Sequence, residues 1–351
     1  MGKILNVLIL LFCLSLASCK VINSVSIDYM LPADVCFPTE VKTVAIVNNT
    51  PQGEEPVIPT KEDNAKMPNM GSVGVFDGNA KLAAEELANN VAAGNYFDQV
   101  MICDSALRTN DLLPRETKLS RSEVKELSEN LGADMLLSLE RVKIYFKKSV
   151  VYPTDIPVPQ EALDATVSSM VRVYLPNRVE PLLSLNDRDS IYWVLGNWNV
   201  SKEIVDDASV FAAKLPIKHI LPTWKTADRY YYASGSVEMR DAAVYVSENN
   251  WDEAFKLWDK AYYLKSDKMR MRAAYNVALY YEMKDQLEKA KEWLEKARDM
   301  AEKKLPKSEG GKVLESTQDY ALILFYMNDL DERITNMQKL NLQMSRFKDD
   351  F

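Results

Sequence analysis

Apolar and polar positions along this chain follow several distinct periods, and each predicts a different kind of element. Behind Lys3, Ile4 to Leu16 is almost unbroken apolar sequence. At about 13 residues it is too short for a membrane-spanning helix, which needs about 20, and it has the form of a secretory leader. Val41 to Val47 is a β-branched run that reads as a buried strand, ended by Asn48-Asn49-Thr50-Pro51. Residues 51–77 hold prolines, glycines and charges without periodicity and read as a long loop. Ala80, Ala84, Leu87 and Val91 then recur on one helical face, with Gly94 as the stop. Tyr96 to Cys103 reads as a second strand. Ser120 with Glu123 forms a capping box for a helix with Val124, Leu127 and Leu131 on its buried face and Gly132 at C′. Ala133 to Phe146 begins as a buried run and becomes alternating, a third strand. The β-α-β-α-β order predicts a right-handed, partly parallel sheet carrying packed helices.

Prolines 153, 157 and 159 break the pattern, after which Val167 to Leu175 alternates as a strand. Pro176-Asn177-Arg178 turns the chain into two further strand pieces, Leu182 to Leu185 and Ser190 to Val194. Asp187-Arg188-Asp189 between them reads as a solvated turn. Ser201 caps a helix with Ile204, Val205, Ala208, Phe211 and Ala212 on its apolar face. Residues 41–234 therefore read as a mixed sheet domain of about five strands.

From about Gly235 the chain is helical and repeats itself. Ala242, Tyr245, Trp251, Ala254, Trp258 and Ala261 align with Ala278, Tyr281, Leu287, Ala290, Leu294 and Ala297, each pair offset by 36 residues. Small residues let the two helices of a hairpin approach closely, and the large one fills the gap to the next hairpin. Lys312 to Arg346 reads as a degenerate capping hairpin behind the linker Pro306 to Gly311. The predicted fold is α+β: a mixed α/β sheet domain at 41–234, followed by an all-α array of hairpins at 235–351.

Four resemblances give these patterns a context. Leu16-Ala17-Ser18-Cys19 resembles the bacterial lipobox, which implies that residues 1–18 are removed as a signal peptide and that Cys19 is lipidated. Residues 19–40 are then a tether. Two or three acyl chains, at about 0.8 kcal/mol per buried CH₂, anchor a protein without any span. Lys20 after the cysteine implies the outer membrane, and the lack of an acidic cluster behind it implies the periplasmic face. The 36-residue unit resembles the tetratricopeptide repeat. Thr43-Val44-Ala45-Ile46-Val47, Tyr96-Phe97 before Val100-Met101-Ile102, and Leu131-Gly132-Ala133-Asp134 resemble the α/β domain of curli-secretion-type and penicillin-binding-protein-activator lipoproteins. Together the two halves resemble a family of bacterial tetratricopeptide-repeat lipoproteins, a likeness that names a type of protein rather than an activity. In the clearest repeat, the inner-helix positions that line the groove of such arrays are Arg272, Tyr275, Asn276, Leu279 and Met283. An arginine, an aromatic, an amide and two long apolar side chains suit an extended peptide or a partner helix.

Composition narrows the chemistry. The 351 residues are 47 % hydrophobic and 27 % charged, with a net charge of −8, which becomes −9 when Lys3 leaves with the leader. That balance offers no basic stripe for nucleic acid. The lone histidine, His219, argues against a histidine metal centre or relay, and reads as a satisfied or surface side chain. Cys36 and Cys103 are the cysteines left after the leader and Cys19. The strand layout puts them roughly 20 Å apart, so they are expected to stay unpaired. The glycines of Gly71 to Gly78 lack nucleotide-binding spacing. No catalytic constellation, cofactor motif or metal spacing stands out. Trp224, Arg229 and Tyr230-Tyr231-Tyr232 read as an aromatic packing cluster. The expected function is a non-enzymatic, membrane-anchored scaffold that docks an envelope protein. The alternative is a ligand- or polymer-binding accessory of envelope transport or synthesis, using the crevice at the strand ends near Asn48-Asn49-Thr50 and Asp104-Ser105.

Overall fold

The computed structural model describes residues 21–51, 74–103, 105–111, 116–152, 158–194, 200–303, 305 and 317–350. The leader, Cys19, Asp104 and most of the loop at 51–77 lie outside them. In chain order the strands and helices of the first half are β1 (Ile22–Leu31), β2 (Thr43–Asn48), β3 (Gly74–Asp77), α1 (Ala80–Ala93), β4 (Gln99–Cys103), α2 (Arg121–Leu131), β5 (Met135–Val151), β6 (Gln160–Tyr174) and β7 (Leu183–Val194). There follow α3 (Lys202–Lys214), α4 (Ile217–Ile220), β8 (Thr223–Tyr232), α5 (Val237–Ser247), α6 (Trp251–Leu264), α7 (Asp267–Met283), α8 (Leu287–Glu302) and α9 (Gln318–Met344). The fold class is the expected one, a mixed sheet domain followed by helices. The compact units, however, cross the expected boundaries. One holds residues 32–223 with 342–351, the other residues up to 31 with 224–341.

In the α/β unit the sheet runs β4-β2-β5-β6-β7, with β3 added on β5. β2 lies parallel to both β4 and β5, as the β-α-β-α-β order requires. β5 is long enough to outrun β2, and its free second half takes β3 as an antiparallel partner, Gly74 opposite Phe146. That open edge makes Gly74–Asp77 a strand where the sequence reads as loop. α1 and α3 pack on one face, around Ala84, Leu87, Ile144, Val167 and Ala208. Ser209 Oγ accepts from Asn79 N at 2.8 Å, and Asp206 accepts from the Asn79 side chain at 2.8 Å, so α3 buttresses the N-cap of α1. α2 covers the other face beside β2, with Val124 against Ala45, Leu136 and Tyr174. Its capping box is present, and Gly132 closes it in the left-handed conformation at φ 60°.

β7 is one continuous strand rather than two pieces. Asp187, Arg188 and Asp189 pair in register with Ser169, Ser168 and Val167 of β6. The solvated-turn reading fails because the three residues continue the β6–β7 ladder, and His219 pairs with Asp187: its Nε2 lies 2.8 Å from Asp187 Oδ1 while its Nδ1 lies 2.5 Å from Asp34 Oδ2. Lys218 also lies at this cluster, 3.5 Å from Asp187. Burial lowers the affinity of His219 for its proton, but the hydrogen bonds and charges of Asp34 and Asp187 outweigh it, and its pKa is raised. The C-terminal residues belong to this unit too. The buried Gln343 side chain accepts from Ala33 N at 3.0 Å and donates to Ala33 O at 2.9 Å and Val35 O at 3.0 Å. Arg346 donates to Val41 O at 2.7 Å and lies over the Tyr96 ring. Cys36 and Cys103 are both free.

The helical unit contains the expected repeat. Ala242, Ala254, Trp258 and Ala261 are fully buried, as are Ala278, Ala290, Leu294 and Ala297. The backbone repeats as well. Asn249 (φ 57°) and Asp285 (φ 55°) hold the same left-handed position in the two hairpin turns, which short polar side chains tolerate. The next residues donate backward alike, Asn250 N to Tyr245 O and Gln286 N to Tyr281 O. Two expectations are corrected here. The third unit is a single 27-residue helix, α9, rather than a hairpin. Its residues Asp329, Asp331 and Arg333 are paired with Arg229, Lys291 and Glu282 along its length. The tether at 19–40 is also corrected. Residues 22–31 form β1, which pairs with β8, Ser26 bonding Asp228 and Thr226 bonding Asp28.

Two outcomes are expected. Gln343→Ala strands the buried Ala33 amide and carbonyl and costs about 1–3 kcal/mol in denaturant unfolding of the full chain. His219 has a raised folded pKa, so its stabilisation is complete below the unfolded value of about 6.5 and is lost as pH rises through the folded value. The unfolding midpoint of wild type should therefore exceed that of His219→Asn by more at pH 5.5 than at pH 8.5, with the pH values set about one unit or more to either side.

Candidate functional site

The groove positions read from the repeat are brought together on α7, but most do not face open space. Tyr275 is 1 % exposed and Asn276 and Leu279 are fully buried. The groove reading for these three is corrected, because the chain fills its own groove with β8 and α9. Asn276 acts as a backbone partner: its Oδ1 accepts from Tyr232 N at 2.9 Å and its Nδ2 donates to Tyr232 O at 2.8 Å, saturating the end of β8. Tyr275 sits between Tyr232 and Tyr326, ring centroids 5.4 Å and 5.3 Å away. Leu279 is part of the helical core. Arg272 lies over the Tyr232 ring and reaches Asp319 at 3.5 Å, and Met283 is half-buried against the core.

One turn beyond Leu279, Glu282 gathers the filling elements. Arg229 of β8 donates to both its oxygens, at 2.9 Å and 3.1 Å, Arg333 of α9 donates at 3.0 Å, and the Tyr326 hydroxyl donates at 2.5 Å. Burial alone would lower the Arg229 pKa, but the bonds and charge of Glu282 outweigh it and raise it. Burial, then the Glu282 charge, raise the Tyr326 hydroxyl far above the tyrosine range, keeping it a donor. Charge-assisted, bidentate bonds of this kind are the strong class of hydrogen bond. Removing one partner of such a buried network costs about 3–5 kcal/mol.

What remains open on this side is a shallow depression. Tyr275, Tyr326 and Arg229 floor it, and Asp228, Asp329, Tyr230 and Phe325 surround it. Alternation along β8 turns Arg229 and Tyr231 inward and Tyr230 outward, 41 % exposed. Phe325 on α9 is 60 % exposed although its neighbours Ile323 and Tyr326 are buried. The rim thus joins two exposed aromatic rings to two carboxylates. The sequence reads Trp224, Arg229 and Tyr230-Tyr231-Tyr232 as packing, which holds for Arg229, Tyr231 and Tyr232 and is corrected for Trp224, 71 % exposed, and for Tyr230 at this rim. Phe325 carried no signal of its own, being one apolar residue in an apolar helix.

The crevice at the strand ends is occupied from within. Asn48, Asn49 and Thr50 are buried. Asn49 Nδ2 donates to Glu140 at 2.7 Å and to Thr117 O at 2.8 Å, and Arg108 Nε donates to Asn49 Oδ1 at 2.6 Å. Glu140 sits at a register shift between Leu139 and Arg141, a bulge that turns its carboxylate into the unit. Arg172 meets it at 3.0 Å and the Tyr174 hydroxyl at 3.4 Å. Burial raises the Glu140 pKa, opposed by Arg172 and Asn49, and burial with the Glu140 charge pushes Tyr174 up to about 12. Sequence reading passed over Glu140; a charge inside the run Met135 to Val142 was the available signal. Among the described residues no group of histidine, cysteine or carboxylate side chains is arranged to hold a metal.

Two family models match, Domain of unknown function (DUF8603) over residues 41–232 and Domain of unknown function (DUF6340) over residues 240–332. No curated protein matches the chain. Among solved structures the chain is similar to a PelC dodecamer from Paraburkholderia phytofirmans, with 11 % identity, 57 % of this chain and 99 % of that chain covered, and a TM-score of 0.25. It is similar also to the hypothetical protein CT253 from Chlamydia trachomatis, with 13 % identity, 44 % and 73 % covered, and a TM-score of 0.21. The first family model spans more than half of the sequence, so the chain belongs to the family described as Domain of unknown function (DUF8603).

Proposed function

We propose that this protein is a lipid-anchored, non-enzymatic scaffold of the bacterial cell envelope. Acylated Cys19 holds it to the periplasmic face of the outer membrane, and the rim of Tyr230 and Phe325 docks an envelope protein. The anchor rests on the leader and the lipobox-like Leu16-Ala17-Ser18-Cys19. The described helices include none long and apolar enough to cross a membrane. The observation that carries the docking is the exposure of Phe325 beside Tyr230 over a floor of buried tyrosines. Aromatic side chains on a rigid floor are the usual anchors of interfaces. Asp228 beside them, bonded by the neutral Ser26 hydroxyl, suits a partner that offers an apolar side chain flanked by a lysine or arginine.

Two measurements check this. Mass spectrometry of the mature N-terminus should find Cys19 acylated, and an unmodified N-terminus there would remove the anchor. For docking, crosslinking in whole cells followed by purification should capture a partner with wild type. Phe325→Glu and Tyr230→Ala should lose it, and Val179→Ser, at an exposed site in the α/β unit, should keep it. Retention by all three variants would sink the docking surface.

A further inference from the structure

The anchor reading has a geometric consequence once β1 replaces the expected tether. Cys19 and Val21 are two residues apart, so at the reach of an extended chain the lipidated residue stays within about 7 Å of Val21. Val21 is fixed in turn: its carbonyl accepts from Ala233 N at 2.9 Å, and Ile22 and Val25 pack on the helical core. Lys20 is the one residue between the lipidated cysteine and Val21.

The end of the helical unit at which Val21 lies is also identifiable. Ala233 leads through Gly235, at φ 114° and close against Met269 of α7, into the start of α5. Glu238 in the first turn of α5 meets Lys265, just past α6, at 3.1 Å and Lys260 at 3.8 Å. The starts of α5 and α7 and the end of α6 therefore meet beside Val21. Three exposed apolar or aromatic side chains stand there: Val21, Val237 at 57 % exposure and Tyr263 at 68 %. Around them are Lys260, Lys265, Lys268 and Arg270, and the neighbouring carboxylates Glu238 and Asp267 are each paired with a cation of this same end. Tyrosine with lysine and arginine is the composition that settles at a bilayer–water interface.

We propose that this end of the helical unit, presenting Val21, Val237 and Tyr263 among lysines, rests on the lipid surface into which acylated Cys19 inserts. The inference rests on the anchor reading above. Headgroups receive Tyr263 and the basic side chains, and β1 rises directly from the surface.

The test uses the full mature lipoprotein in vesicles of phosphatidylethanolamine and phosphatidylglycerol carrying a headgroup nitroxide quencher. The free Cys36 and Cys103 are changed to serine, and one fluorophore is placed at Val237→Cys, Tyr263→Cys or Glu248→Cys. Glu248 lies at the opposite end of α5, about 16 Å away at 1.5 Å per residue. Labels at 237 and 263 should be quenched several-fold more strongly than the label at 248. Equal quenching at all three positions, in protein shown by mass spectrometry to carry acylated Cys19, would overturn the inference alone. Unacylated Cys19 would instead overturn the anchor reading, and the inference with it.

Discussion

The helical unit depends on one buried carboxylate. The Glu282 side chain is fully buried and is bonded at once by Arg229, Arg333 and the Tyr326 hydroxyl. A buried charge must be fully paired to be tolerated, so α7 accepts Glu282 only with both β8 and α9 in place. Asn276, less than two turns earlier, holds the backbone of Tyr232. The same helix thus fixes a strand through an amide and a second helix through a carboxylate. The interior of the groove is spent on the chain itself.

The α/β unit solves a similar problem by a different device. Where β5 leaves β2 and takes up β3, a bulge turns Glu140 inward, and Arg172, Asn49 and Tyr174 neutralise it. Strand ends in parallel sheets ordinarily leave a crevice for a ligand. Here the loop carrying Arg108 closes over Asn49 instead, and Arg108 continues to Glu123 at 2.9 Å. Both units therefore place buried ion pairs where the described strand ends and helix face would otherwise carry unpaired polar groups.

Some features were legible because they are local. The capping box of Ser120 and Glu123, Gly132 at C′ and the alanine-bulky-alanine spacing follow from near neighbours, and each is present. The groove residues were found as a set but misjudged in exposure. Spacing places Tyr275 and Asn276 on the inner face of α7, yet it carries no information about what else in the chain occupies that face. Asp187-Arg188-Asp189 was misread for a related reason. Three charges in a row look solvated until His219, some thirty residues away, supplies the partner for Asp187.

By itself the sequence determined the β-α-β-α-β core of the sheet, the caps of its helices and the 36-residue period of the hairpins, since all of these rest on periods and spacings within a few turns of chain. Tertiary structure decided which faces stayed open. It placed residues 22–31 with the helices, tied Gln343 to Ala33 across 310 residues and His219 to Asp34 across 185, and filled the groove. Such pairings are settled by which buried polar groups can satisfy one another in space, and neighbouring residues hold no trace of that choice.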